Sequence, residues 1–281
     1  DQDGGIINDP ILLKLAEDHF WLSIADSDVL LWARGVAVNS GMDVDISEPD
    51  VSPLQLQGPK SRDVLRAAFG DAPTELKYYR FMEFDWDGVP LIISRTGWSS
   101  ELGYEIFLRD GTQGEKLWEH LMAVGGPLGL KPGHTSSIRR IEAGMLSYHA
   151  DMTLANNPYE MGMGRLVDLD MEADFISKAA LTLIKERGVS QQLVGLEIDG
   201  APFVGSNDFF WPVLKEGVKV GTVTSAIYSP RLQKNIALAM LSIDHTASGR
   251  ALQVDKLSET RACTVVPIPF YDPKKSLATA S

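Results

Sequence analysis

The sequence contains a single cysteine, Cys263, among 281 residues. One cysteine cannot form an internal disulfide, which favours a reducing compartment, and we expect a cytoplasmic protein. The sequence also lacks a run of eighteen apolar residues and a basic-then-apolar leader, so it predicts neither a membrane-spanning helix nor export. A net charge of −12 argues against nucleic acid or an anionic membrane as the main partner. A small anionic ligand stays compatible with these features.

The common catalytic signatures are missing as well. The sequence has no G-x-G-x-x-G after a strand, no G-x-x-x-x-G-K-[ST], no G-x-S-x-G and no H-E-x-x-H. Its five histidines are scattered without metal-ligand spacing, so we expect no metal site. Cys263 lies in a β-branched run, which favours a core position over a nucleophile.

The hydrophobic pattern changes along the chain. Strand-length and helix-length runs alternate over residues 1–187, where the segment 134–149 is spaced as a helix with Ile138, Ile141, Met145 and Tyr148 on one face. Residues 188–281 show strand-length runs split by turns, with Glu216-Gly217 as a hairpin corner. The sequence therefore predicts an α+β region over 1–187 and a small all-β domain over 188–281.

The segment "GGIINDP" places Asp9 before Pro10. Asn-Asp-Pro is a common turn composition, and a turn is the simpler interpretation. The functional alternative is that the two glycines let the backbone approach a ligand while Asp9 presents a carboxylate.

The segment "RTGWSSELGYEI", residues 95–106, surrounds a glycine-rich turn with a ring, Trp98, and a carboxylate, Glu105. An ordinary hairpin explains it, but the arrangement also suits a flat heterocycle that carries adjacent N–H donors. Further on, Arg140 and Glu142 are explained as solvated helix charges, and Asp151 as a helix cap. The segment "GTVTSAIYSPRLQKNIALAML" is explained as two strands and a turn.

Taken together and in order, these segments resemble the glycine-cleavage T-protein (aminomethyltransferase) superfamily. "GGIINDP" is similar to its G-G-x-x-[DN]-D element, and "LQLQGPKSRDVL" to its L-x-L-Q-G-P element. "RTGWSSELGYEI", "IRRIEAGMLSYHADM" and "GTVTSAIYSPRLQKNIALAML" are similar to three further elements. The resemblance covers nearly the whole chain.

Within the superfamily the sequence is most similar to the tetrahydrofolate-dependent dimethylsulfoniopropionate demethylases. Trp98 stands where aminomethyltransferases commonly have tyrosine, and Ser136-Ser137 stand where they have Arg-Asp. Family members also carry a segment before the G-G-x-x-[DN]-D element, so the resemblance implies that this chain starts inside the family's folate-binding region.

The resemblance implies a fold and a site. The fold is α+β, with interwoven antiparallel sheets and helices forming folate-binding lobes around a channel, followed by a barrel-like all-β domain. Asp9 would be the catalytic carboxylate near N5 of tetrahydrofolate. Glu105, Trp98 and Arg140 would bind the cofactor, and the aromatic side chains Trp21, Tyr148 and Tyr159 would bind the methyl donor.

Three functions remain open at this point. The first is a methyltransferase that moves a methyl group from a small sulfonium or related donor to tetrahydrofolate. The second is an aminomethyltransferase that works with a lipoyl carrier protein. The third is a folate-binding protein without turnover, although the K-G-C-[YF]-x-G-Q signature of such helpers is missing from the sequence.

Overall fold

The computed structural model describes residues 1–25, 29–257 and 259–280. In chain order its strands and helices are β1 (Ile11–Lys14), β2 (Phe20–Ser23), α1 (Val29–Ala37), β3 (Ser52–Gln57), α2 (Ser61–Phe69), β4 (Phe81–Trp86), β5 (Val89–Ser94), β6 (Gly103–Leu108), α3 (Gly114–Gly125), α4 (Ser137–Glu142), α5 (Lys178–Arg187), β7 (Gln191–Ile198), β8 (Trp211–Lys215), β9 (Val218–Ser229), β10 (Lys234–Ser242), β11 (Ala251–Asp255) and β12 (Thr260–Val266). The chain divides into two compact units. Unit 1 is Asp1–Val44 with Arg140–Tyr271, and unit 2 is Asp45–Arg139 with Asp272–Ser281.

Unit 2 is built on a four-stranded antiparallel sheet in the order β3-β6-β5-β4. Alternate residues of each strand point to opposite faces. One face packs against α2 and α3 through a buried apolar cluster that includes Leu56, Ile93 and Ile106 from the strands. The intervening residues, Gln55 and Glu105 among them, therefore belong to the opposite face, where polar side chains lie next to each other.

Unit 1 contains a closed six-stranded barrel in the order β10-β7-β12-β11-β8-β9. Its interior is filled by small and β-branched residues from every strand, such as Val194, Ala237 and Val254. Glu216 and Gly217 both have positive φ, 53° and 80°, as a two-residue hairpin turn requires. Cys263 is buried in this core, and burial raises the pKa of its thiol to about 12, so it is no nucleophile at neutral pH.

The helix predicted over residues 134–149 is wrong beyond Glu142, because α4 ends there. Gly144 adopts φ 64° and its N–H donates to the Ile141 carbonyl, while the Met145 N–H reaches back to the Arg140 carbonyl. This pair of hydrogen bonds around a left-handed glycine is the Schellman ending of a helix. Tyr148 therefore lies on a loop and not on the helix face that its spacing predicted.

The predicted fold class, α+β followed by an all-β barrel, is confirmed. Strand β11 was missed by the sequence pattern, and the boundary between residues 187 and 188 stays a prediction. None of the helices that the described residues form has the length and apolar character that crossing a bilayer requires.

Candidate active site

Glu105 occupies the polar face of the sheet in unit 2. The strand register sets it opposite Gln55 on β3 and Ser94 on β5. Its Oε1 accepts a hydrogen bond from Gln55 Nε2 at 3.1 Å, and its Oε2 accepts one from the Thr96 hydroxyl. Glu105 is only 9% exposed, and this burial raises the pKa of its carboxyl despite the two donors.

Gln57 explains two glycines of the turn that joins β5 to β6. Its amide lies between Gly97 and Gly103, and a Cβ atom at either glycine would collide with it. Its Nε2 donates to the carbonyls of Thr96 and Tyr104, at 3.3 and 3.2 Å, while its Oε1 accepts from the Ser99 hydroxyl at 2.5 Å. The glutamine of the L-x-L-Q-G-P element therefore fixes the turn that carries Trp98. This link is not visible in the sequence, because Gln57 lies 39, 42 and 47 residues from the partners of its three hydrogen bonds.

Trp98 is half-buried at this turn, between Gly97 and Ser99. It lies outside the apolar cluster that supports the sheet. Trp98, in the turn between β5 and β6, and Glu105, near the start of β6, therefore lie at the same end of this hairpin. Their predicted roles toward a cofactor stay predictions.

Asp9 lies in unit 1, just before β1. The turn hydrogen bond of this segment is made by its neighbour, since Asn8 Oδ1 accepts from the Asp9 N–H at 2.8 Å. Asp9 is exposed to solvent, yet the surrounding protein removes part of the hydration of its carboxyl and raises the pKa of that group to about 6, which the backbone N–H of Asp9 only partly offsets. A carboxyl whose pKa approaches neutrality is suited to accept and release a proton.

The three predicted donor-binding aromatics have different surroundings in unit 1. The Tyr148 hydroxyl donates to the Ile6 carbonyl at 3.0 Å, which links it to the segment that carries Asp9. Trp21, on β2, meets His19 edge to face at 6.4 Å between ring centroids. The Tyr159 ring packs against Gly164, and its hydroxyl is buried without a hydrogen bond inside the described part of the chain.

Arg140 is not a solvated helix charge, as one alternative had it. It is 8% exposed, and its guanidinium donates to Asp151 Oδ2 at 2.7 Å and to the Ser225 hydroxyl at 2.8 Å. The other Asp151 oxygen accepts from the hydroxyls of Thr224 and Ser225, at 2.7 and 2.6 Å. The structure thus engages Arg140 in a buried ion pair, and its predicted contact with the cofactor stays a prediction.

A β-bulge makes this arrangement possible. Thr224 has no partner on β10, because Leu238 pairs with Ser225 and Ala239 with Val223. Successive residues of a regular strand point to opposite faces, but at a bulge two neighbours point the same way. As a result, Thr224 and Ser225 both reach Asp151. The T-S pair of the barrel signature marks these two residues, but the sequence does not reveal their partner.

Glu142 forms a second buried contact with the same signature. Its Oε1 accepts from the Ser229 hydroxyl at 2.5 Å, and Arg231 approaches its Oε2 at 3.7 Å. Glu142 is 2% exposed. Two acidic side chains from around α4 therefore accept hydrogen bonds from hydroxyls of β9, which gives the R-x-E and T-S-x-x-x-S motifs a shared structural role. Within the described ranges, no group of three or more His, Cys, Asp or Glu side chains is placed to hold a metal ion.

Comparisons with known proteins agree with the motif order. Residues 1–171 match the model of the GCVT N-terminal domain, and residues 191–272 match that of the glycine cleavage T-protein C-terminal barrel domain. The chain is 40% identical to the dimethylsulfoniopropionate demethylase DmdA of Ruegeria pomeroyi over 94% of its own length and 72% of the relative's. It is 32% identical to an aminomethyltransferase of Bacillus cereus over 98% of its length and 75% of the relative's.

A solved structure shows the same fold. The aminomethyltransferase T of the glycine cleavage system from Bartonella henselae superposes with a TM-score of 0.81 over 97% of this chain and 74% of that one, at 22% identity. The family models together with these relatives leave one conclusion about descent: the chain belongs to the glycine cleavage T-protein family.

Proposed function

We propose that this protein is a tetrahydrofolate-dependent methyltransferase that moves a methyl group from a small sulfonium donor, such as dimethylsulfoniopropionate, to N5 of tetrahydrofolate. One-carbon transfer with tetrahydrofolate is the chemistry of this family. The observation that carries the choice of donor is the 40% identity to a dimethylsulfoniopropionate demethylase, against 32% to an aminomethyltransferase over a similar share of the chain.

The residues around Glu105 fit a pterin. A carboxylate offers about four acceptor positions, and Gln55 and Thr96 use one on each oxygen. Acceptor capacity therefore remains for the adjacent N–H donors of a pterin ring. Such donors would also compensate the carboxylate for the hydration that burial removes. Glu105 would hold and orient the ring, and Trp98 would pack beside it.

Asp9 is the proposed catalytic residue. When bound, tetrahydrofolate supplies N5 as the methyl acceptor. An Asp9 carboxylate would stabilise positive charge that develops near it and would accept a proton, and its pKa of about 6 leaves it mostly ionised at neutral pH. A sulfonium donor leaves as a neutral thioether, so this site needs no acid for the leaving group.

The donor class follows from charge. A sulfonium cation is attracted to the face of an aromatic ring, and Trp is the strongest such partner among the side chains. Trp98, with the glycines that hold its turn open around Gln57, is the first candidate for this contact. Trp21 and Tyr159 are further candidates.

The test is an assay of 5-methyltetrahydrofolate formation with dimethylsulfoniopropionate, a methylamine and a methoxy-aromatic compound as alternative donors. In parallel, the protein is assayed for lipoyl-carrier-dependent release of ammonia. This is the competing activity, because the chain also has aminomethyltransferase relatives. We expect turnover with the sulfonium alone. Ammonia release without sulfonium turnover would replace the proposal, and tetrahydrofolate binding without either activity would favour a binding protein.

A further inference from the structure

The segment that leads to Asp9 is attached to a neighbouring loop through both backbone groups of Ile6. The Ile6 N–H donates to the Asn156 carbonyl at 2.9 Å, and the Ile6 carbonyl accepts from the Tyr148 hydroxyl at 3.0 Å. Ile6 is 7% exposed, so water does not replace these partners readily. Gly5 allows this approach, because a Cβ there would collide with the Leu154 carbonyl oxygen.

The loop that carries Tyr148 is itself anchored to the buried ion pair. Asp151 Oδ2 accepts from the Ser147 N–H at 3.0 Å while it binds Arg140. The Asp151 N–H donates to the Ser147 carbonyl, and the His149 N–H donates to the Met152 carbonyl, both at 2.8 Å. Tyr148 lies inside this closed set of hydrogen bonds. Its hydroxyl is therefore presented from a fixed backbone.

Asp9 is also fixed on its own side. Asn8 bridges from the Asp9 N–H to the segment that follows β2, because its Nδ2 donates to the Ala25 carbonyl at 3.3 Å. Only Ile7 separates this bridge from Ile6. The backbone that carries the Asp9 carboxylate is thus tied at two points, and Tyr148 supplies the only side-chain hydroxyl among the described contacts of Ile6.

We propose that Tyr148 is a positioning residue for Asp9. Its hydroxyl holds the Ile6 carbonyl and thereby sets where the Asp9 carboxylate stands, with the Arg140–Asp151 pair as the anchor behind it. This inference rests on the proposed role of Asp9. It gives Tyr148 a task different from the donor contact that the sequence predicted. A displacement of a reacting group by about 1 Å can cost about a hundredfold in rate, so one hydroxyl at this position is significant.

Tyr148→Phe removes the hydroxyl and keeps the ring. We expect kcat with dimethylsulfoniopropionate to fall about tenfold, while KM for the donor and Kd for tetrahydrofolate stay within about twofold. Hydrogen exchange followed by mass spectrometry supplies a readout that needs no substrate. Peptides covering residues 4–9 should exchange faster in Tyr148→Phe than in the wild-type protein.

Tyr228→Phe is the matched control. Tyr228 is a half-buried tyrosine on β9, and its hydroxyl makes no hydrogen bond to the described residues. In the Tyr228→Phe variant, hydrogen exchange in residues 4–9 and kcat should equal those of the wild-type protein. A change common to both variants would mean a general loss of packing and would overturn the positioning role.

The double variant with Asp9→Asn separates the two proposals. If Tyr148 acts through Asp9, then Tyr148→Phe should lower kcat no further once Asp9 is Asn. Multiplied losses, a raised KM at unchanged kcat, or unchanged exchange in residues 4–9 would overturn the inference and leave the role of Asp9 intact. Wild-type turnover of Asp9→Asn alone would instead remove the catalytic role of Asp9, and the positioning role with it.

Discussion

Replacement of Asp9 by Asn should separate catalysis from turn formation. Asn has the same size and can sit equally well before Pro10, and the turn hydrogen bond comes from Asn8 in either case. The backbone should therefore be unchanged. What the substitution removes is a carboxylate whose pKa is raised to about 6 by partial loss of hydration.

The expected loss follows from the charge. Removing one preorganised electrostatic group at a reacting centre costs about 10²–10³-fold in kcat, and we expect about 10²-fold here because Asp9 is exposed to solvent. Tetrahydrofolate binding should change far less, since the ground state carries no charge at N5.

The pH profile adds an independent sign. A pKa near 6 leaves roughly ten elevenths of Asp9 ionised at pH 7 and roughly one eleventh at pH 5, so wild-type kcat should fall about tenfold over that interval. Asp9→Asn should lack this acidic limb.

The contribution of Asp9 to folding stability should change with pH in the opposite direction to kcat. A raised pKa means that the folded state binds the extra proton between about pH 4 and 6. Ionisation of Asp9 therefore opposes folding as the pH rises through 6, and the Asn variant should melt no lower than the wild type at pH 7.

The assay is steady-state formation of 5-methyltetrahydrofolate from pH 5 to pH 8, with thermal unfolding measured at each pH. Asp85→Asn is the control, since Asp85 is an exposed residue near the end of β4 whose carboxylate accepts from the Gly88 N–H at 2.9 Å. It should match the wild type throughout. Wild-type kcat in Asp9→Asn, or an acidic limb that survives the substitution, would refute the reasoning. Equal losses in binding and kcat would make Asp9 a binding residue.

Three further substitutions test other parts of the molecule. Glu105→Gln should weaken tetrahydrofolate binding at least tenfold, because hydrogen bonds to a charged group contribute roughly 1.5–3 kcal/mol and the amide turns one acceptor into a donor; unchanged affinity by calorimetry would take Glu105 out of the site. Trp98→Ala should raise KM for a sulfonium donor or lower kcat by an amount equivalent to roughly 0.5–2 kcal/mol, with little change in melting temperature. A large drop in melting temperature with unchanged kinetics would show instead that Trp98 is a core residue. Arg140→Met should lower the free energy of unfolding by about 3–5 kcal/mol, because it leaves Asp151 buried without its cation. Chemical denaturation checks this value, and a change below about 1 kcal/mol would contradict it.

Asp151 shows why the sequence could not specify the role of a buried acidic side chain. Asp151 lies 11 residues from Arg140 and 74 from Ser225, and nothing local distinguishes it from a solvated turn carboxylate. Its role becomes visible only when α4 and β9 are packed side by side. The cost of an unpaired charge in the interior then selects the partners.

Local signals did determine much of the fold. Strand-length and helix-length runs indicated an α+β region followed by an all-β domain, because hydrophobic spacing is a property of each segment alone. Gly217 was predicted in a hairpin corner, and the turn after β8 needs a residue there that tolerates its φ of 80°. The order of five short motifs was enough to identify the family and, through the family, to predict roles for Asp9 and Glu105.

Only the tertiary structure shows which contacts the motif residues make. Gly97 and Gly103 look like a flexible turn in the sequence, but they are small because the Gln57 amide fills the space between them. The segment after α4 has helical spacing, yet Gly144 ends the helix and places Tyr148 where it can bind Ile6. Hydrophobic periodicity indicates the local conformation of a segment and which of its faces is buried. Which distant group fills a gap or satisfies a buried charge depends on packing between elements, and that information is not contained in any single segment.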